Sequence, residues 1–328
     1  MKPNFLLTPL TTGQILDRAF RLYRRNFFNF IGILAAVQII SASISALPAI
    51  SPNLALVSGL GSIVVSLLGV YVSAALSLAI AHAYLDEPIG IGEAYRQTTP
   101  HIASLFLLLV LSFAAGIAFV IWLIIPLVGW FTAPGMLFMW SIIAGIASPI
   151  IVLEQVDGVK AVRRGWELVR GRFWAVAGFA AVIGLLTFVI SVGPSLVALL
   201  FINTTFGVTS AVGTLINTAI TLFIGLFVTP LMLTSYVLFY LDLRVRQEGL
   251  DIMLMGQMEE EDEYAAEKSP LNILRNVPQA PSGSLITGEE FKNFFLLSLI
   301  VIAIFVVFVV VFGASAAALI NPSQFGGF

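Results

Sequence analysis

A chain of 328 residues has room for two ordinary soluble domains, but 59% of it is hydrophobic and only 10% is charged, against about 25% charged in soluble domains. With 26 Phe, a mean hydropathy of +1.01 and a net charge of −2, too few charges remain to cover a soluble surface, which excludes soluble enzymes and nucleic-acid binders. There is no cysteine, so a disulfide framework, a thiolate metal site and a Cys nucleophile are excluded as well.

In chain order, Met1 to Asn26 places four arginines before any apolar run, which predicts a mature start near Met1 and not a cleavable signal peptide. Within it, Ile15, Leu16, Ala19, Phe20, Tyr23 and Phe27 fall on one stripe at helical period, with Gln14, Asp17, Arg18, Arg21, Arg24 and Arg25 around the rest. Thr11 and Gln14 have capping-box spacing, and Asp17 with Arg21 is an i,i+4 pair. Seven uncharged runs then reach the roughly 20 residues a spanning helix needs: Phe27–Leu47, Leu56–Leu85, Ile102–Ile124, Phe131–Leu153, Phe173–Phe201, Ala211–Leu241 and Phe294–Ile320.

Three charged segments each lead a pair of these spans: Thr12–Asn26, Ile89–Pro100 and Asp157–Arg172. They share an Ala-apolar-Arg step, Ala19-Phe20-Arg21, Ala94-Tyr95-Arg96 and Ala161-Val162-Arg163, and the first and third run into aromatic pairs, Phe27-Phe28 and Phe173-Trp174. On this alignment the third copy is longer by one helical turn. The expected fold is an all-α integral membrane protein with a pseudo-threefold repeat of amphipathic interfacial elbow helix plus helical hairpin, over about 12–85, 89–153 and 157–241. Packing of the elbows on other protein is the alternative; the interfacial reading is preferred because each elbow enters a span without a linker. After the six-span core, 1–241, residues 242–292 read as a polar, partly disordered cytoplasmic linker with the acidic run Glu259–Glu263, and 293–328 as a seventh span and short tail.

The segments Pro48–Ala55, Ile125–Trp130, Ile202–Ser210 and Asn321–Phe328 carry no Lys, Arg, Asp or Glu. With seven crossings these neutral segments share one side and every charge lies on the other, so the basic bias predicts a cytoplasmic N-terminus and an extracytoplasmic C-terminus. On the basic elbows, Arg18, Arg21, Arg24, Arg25, Arg163, Arg164, Arg170 and Arg172 are the expected contacts to anionic lipid phosphates. Small residues recur at steps of three and four on spans two and six, the pattern of close helix packing. Gln38, Ser73, Asn217 and Thr221 form a candidate intramembrane polar site.

No ionisable side chain falls well inside a span, which disfavours ion-coupled transport. His82 and His101 lack metal-ligand spacing, so neither a metal nor another cofactor is expected. A headgroup-acting enzyme would need ionisable groups such as His82, His101 and Glu154 to converge.

The opening LTTGQILDRAFRLYRRNF, the central SPIIVLEQVDGVKAVRRGWELVRGRFW and the exit LFYLDLRVRQEGLDIML resemble the bacterial and archaeal family named for the glycerophosphoryl diester phosphodiesterase membrane domain, over roughly Leu10 to Met255. That family takes its name from fusions in which a separate soluble barrel holds the phosphodiesterase chemistry, and this chain contains no such domain, so the resemblance implies kinship and a prokaryotic plasma membrane without an activity. The expected function is that of a non-catalytic accessory or scaffold protein organising lipid or a protein partner, the latter through the linker or span seven. An uncoupled permease or lipid-moving transporter using the polar faces of spans two and six is the alternative.

Overall fold

A computed structural model describes residues 9–205, 210–253, 274–275 and 287–320. Most of the 242–292 linker and the tail Asn321–Phe328 lie outside the described residues, as does the start at Met1. The described residues form α1 (Thr12–Arg25), α2 (Phe27–Ile50), α3 (Ala55–Tyr84), α4 (Ile91–Thr98), α5 (Ile102–Trp122), α6 (Val128–Glu154), α7 (Gly158–Arg170), α8 (Phe173–Thr205), α9 (Ala211–Glu248) and α10 (Gly288–Ile320), with no strand among them. Seven of these helical stretches are long and apolar enough to cross a membrane. The chain is thus an all-α multi-pass membrane protein.

Each short helix, α1, α4 and α7, precedes a pair of long ones. Thr11 caps α1 with its side chain on the Gln14 N–H, and the Gln14 side chain returns the bond; Asp157 caps α7 through the Lys160 N–H. Counted from the capping residues Thr11, Gly90 and Asp157, the fourth residue (Ile15, Ala94, Ala161) and the eighth (Ala19, Thr98, Gly165) are buried in all three copies. This register differs by one turn from the Ala-apolar-Arg alignment of α1 with α7. The extra turn expected in the third copy is absent, since α1 has 14 residues and α7 has 13. Burial defines the repeat; counted from the caps, Arg96 and Arg163 are both the sixth residue, and Arg21 is the tenth, one turn later.

The linker is also shorter than the sequence reading made it, because α9 continues through Glu248 and α10 begins at Gly288. Two i,i+4 ion pairs, Asp242 with Arg246 and Arg244 with Glu248, carry α9 past its apolar run. Asp86, Gln155 and Gly249, just past the ends of α3, α6 and α9, adopt left-handed backbone with φ of 60°, 57° and 64°. Beyond Gly249 the chain turns helical again, with the Ile252 and Met253 N–H groups on the Gly249 carbonyl and Leu250 buried.

The chain divides into two compact units: Met1–Leu111 with Ile143–Ala280, and Ser112–Ile142 with Pro281–Phe328. In the first, buried residues concentrate where α3, α6 and α9 approach the charged segments, over Val72–Ala83, Ile143–Glu154 and Val228–Val245. Each short helix packs on the second long helix of the preceding repeat in cyclic order: α1 on α9, α4 on α3, and α7 on α6, where Gly165 faces Ile143 and Ile146. Between α8 and α9, Phe179 stacks on Phe239 at a centroid distance of 3.8 Å.

In the second unit the seventh span meets the first half of α6. The buried Ser298 hydroxyl accepts the Gly135 N–H at 2.7 Å and donates to the Thr132 carbonyl at 3.0 Å. Gly135 is required at this approach, because a Cβ there would overlap the Phe294 carbonyl and press on Ser298 Oγ at 2.8 Å.

Candidate functional site

The ionic groups of the first unit gather where the long helices meet the short ones, in two clusters. In one, Glu154 at the end of α6 accepts from Tyr240 Oη at 2.7 Å and faces Arg244 Nη1 at 3.5 Å and Arg164 Nε at 3.3 Å. Arg244 also donates from Nε to Glu248 at 2.9 Å and from Nη1 to the Leu274 carbonyl at 2.7 Å, while Arg164 Nη2 pairs with Glu248. Two guanidinium and two carboxylate groups thus neutralise one another with the Glu154 and Arg244 side chains fully buried. Buried charges persist only when paired and hydrogen-bonded in this way.

In the other cluster, Asp242 accepts the Leu10 N–H at 2.7 Å and pairs with Arg246 at 2.8 Å, while Arg246 donates to the Leu10 carbonyl at 2.6 Å. This cluster fixes the segment entering α1 to the exit of α9. Gln247 adds a bond to the Leu168 carbonyl at 2.6 Å.

The arginines expected at lipid phosphates have diverse surroundings. Arg164 belongs to the buried cluster, an intramolecular role that the sequence reading did not assign. Arg163 pairs with Glu167 at 3.2 Å and Arg25 with Asp86 at 3.1 Å, both near the surface; Arg18 donates to Tyr84 Oη at 3.0 Å. Arg170 and Arg172 are half-buried, whereas Arg21 and Arg24 are exposed.

Of the apolar stripe of α1 assigned to lipid, Ile15, Ala19 and Tyr23 are buried, with α1 packed on α9, while Leu16 and Phe27 are half-buried. The outward edge of α1 instead carries Phe20, 46% exposed, and the first turn of α2, beyond Asn26, carries Phe28, 87% exposed. Trp174, at the position of the third repeat equivalent to Phe28, is also exposed. Hydropathy alone did not distinguish a face covered by protein from one left open.

Of the candidate intramembrane polar residues, Gln38 on α2 lies against Gly225 on α9, 3.3 Å from where a Cβ would stand. Asn217 and Thr221, eight and four residues earlier on α9, are exposed. Ser73 on α3 is half-buried, and its carbonyl accepts from the Ser77 hydroxyl at 2.7 Å.

Of the three ionisable groups considered for headgroup chemistry, Glu154 is held by Tyr240 and the two arginines. His82 is buried near the end of α3, and His101 lies in the turn joining α4 to α5. Arg244 and Glu248 fall in the segment that the sequence assigns to the linker, and nothing local in the sequence signals Glu154 or Tyr240 as their partners. No group of three or more His, Asp or Glu positioned for a metal ion occurs among the described residues. Compared with the profiles of protein families, with curated proteins and with solved structures, the chain matches none.

Proposed function

We propose that this protein is a non-catalytic membrane scaffold that gathers anionic lipid at its short helices, in a prokaryotic plasma membrane with its N-terminus cytoplasmic. The observation that carries the reading is the outward edge of α1 and the start of α2, where Phe20 and Phe28 are exposed on the same short stretch of chain as the exposed Arg21 and Arg24. Aromatic rings beside guanidinium groups suit the boundary between acyl chains and phosphates. The opposite face of α1 is packed on α9, so the helix can hold lipid without leaving the protein. Kinship with the glycerophosphoryl diester phosphodiesterase membrane domains is part of the same proposal, since the similar segments are membrane-edge patterns.

Exposure of Asn217 and Thr221 on the outside of α9 supports contact with lipid or a partner over an enclosed permeation path. The test replaces Arg21 and Arg24 with Gln and measures anionic phospholipid retained on purification. Each arginine near an anionic surface is worth about 1 kcal/mol, or about five-fold in affinity. Retained phosphatidylglycerol should therefore fall, and fall further with added salt. Unchanged lipid content with unchanged thermal stability would defeat the proposal.

A further inference from the structure

The turn joining α5 to α6, within the second unit, is built unlike the other charge-free turn that the structure describes in full. It runs Leu123-Ile124-Ile125-Pro126-Leu127-Val128-Gly129-Trp130-Phe131, and its large side chains are exposed, Ile124 by 75% and Leu127 by 65%. Six of its eight backbone N–H groups are nevertheless used internally, those of Leu127 and Trp130 being the exceptions. Those of Leu123, Ile124 and Ile125 bond to the carbonyls of Phe119, Ile121 and Trp122 at 3.0, 3.1 and 3.1 Å. Those of Val128, Gly129 and Phe131 bond to Pro126, Ile125 and Leu127 at 2.8, 2.9 and 3.0 Å. Pro126 has no N–H to satisfy.

Both indole N–H groups are bonded inward too: Trp122 Nε1 to Thr132 Oγ1 at 2.9 Å, and Trp130 Nε1 to the Leu123 carbonyl at 3.0 Å. The closure is tight, with a γ-turn at Leu127, where φ is 63°, and a Gly129 whose absent Cβ would overlap the Trp122 carbonyl. A turn in water has no need of this, because water satisfies backbone and indole donors and large apolar side chains avoid it. A turn in hydrocarbon needs all of it, because no solvent there can accept a hydrogen bond. The turn between α2 and α3 makes the contrast, with Ser51, Pro52 and an exposed Asn53 at its tip.

We infer that the α5–α6 turn lies in the acyl region of the bilayer, as a lipid-immersed anchor of the second unit, and does not project into the aqueous phase. The occupant of its exposed surface is lipid acyl chain: the side chains offer no charge to a polar partner, and six of the eight backbone donors and both indole donors are already bonded within the turn.

The chain has no native cysteine, so Leu127→Cys, Ile124→Cys and Asn53→Cys can each be labelled singly with an environment-sensitive fluorophore. The full chain is then reconstituted in vesicles of phosphatidylethanolamine and phosphatidylglycerol with iodide on both sides. Ile124 is the second site because a substitution at Leu127 falls in the strained turn. The expected result is emission shifted to the blue of the Asn53 site and loss of intensity with nitroxide-bearing acyl chains at both turn positions, with no loss to iodide. Quenching by iodide as strong as at Asn53 would overturn the inference by placing the turn in water. Blue-shifted emission insensitive to both quenchers would overturn it by placing protein over the turn.

Discussion

Where helices meet in the first unit, at the ends that carry the charges, they are joined by guanidinium and carboxylate groups: Glu154, Arg164, Arg244 and Glu248, with Tyr240 between them. In the second unit the approach of α6 to α10 uses one hydroxyl and a glycine, Ser298 and Gly135. The difference follows from the surroundings. Near the interface a chain can bring several charges together and complete their hydrogen bonds, whereas within an apolar run a charge is costly and a hydroxyl suffices. An ionic junction fails as a set when one member is removed, while a hydroxyl junction loses only its own bonds.

The largest effect should come from breaking the ionic junction on one side. Arg244→Met leaves Glu154 and Glu248 with one guanidinium between them and should cost about 3–5 kcal/mol, read as a lower thermal midpoint in detergent. Adding Glu154→Leu should recover part of that loss, because the buried carboxylate goes with its partner. A single variant as stable as the parent would mean that water or lipid phosphates, not the protein, satisfy these charges.

A smaller loss is expected in the second unit. Ser298→Ala removes both the acceptor for the Gly135 N–H and the donor to Thr132 and should cost about 1–3 kcal/mol. Gly135→Val adds overlap with the α10 backbone, so it should lower the thermal midpoint further than Ser298→Ala does. If the two variants ranked the other way, the hydroxyl and not the close approach would dominate this contact.

The smallest effect separates the two capped short helices. Thr11→Ala and Asp157→Ala should each cost about 1 kcal/mol at neutral pH. The Lys160 backbone N–H, and then its side chain, hold the Asp157 carboxyl below the usual carboxylate range. A carboxyl depressed in the folded state contributes its full stability above its ordinary pKa and loses it as pH falls through the folded value. Acidification below about pH 4 should therefore narrow the gap between the parent and Asp157→Ala while leaving the Thr11→Ala gap unchanged. Thermal midpoints across that range check the sign.

Much of the fold was legible because hydrocarbon imposes length on a helix and forbids charge within it. The uncharged runs locate the long helices, and Thr11 with Gln14 marks the start of α1. Three features were not legible, each for a physical reason. An apolar stripe such as Ile15, Ala19 and Tyr23 is the same whether lipid or α9 covers it, so hydropathy left the choice open. The Ala-apolar-Arg match aligns α4 with α7 but sets α1 one turn out of register, because three residues do not distinguish one turn of a helix from the next while burial at the fourth and eighth residues does. The ionic junction joins Glu154 to Arg244 across ninety residues, and no local pattern carries that pairing. The candidate lipid edge was half visible: Arg21 and Arg24 were named in advance, but the exposure of Phe20 and Phe28 beside them required knowing which face α9 takes.

The left-handed residues Asp86, Gln155 and Gly249 have a consequence for how such a chain can grow. Each stands where a pair of long helices ends, and after Asp86 and Gln155 a new short helix opens, so a block inserted or lost between any two of them contains an even number of long helices. Copying such a block lengthens the protein by pairs of long helices and leaves the sidedness of everything downstream as it was. The single long helix α10 breaks that parity.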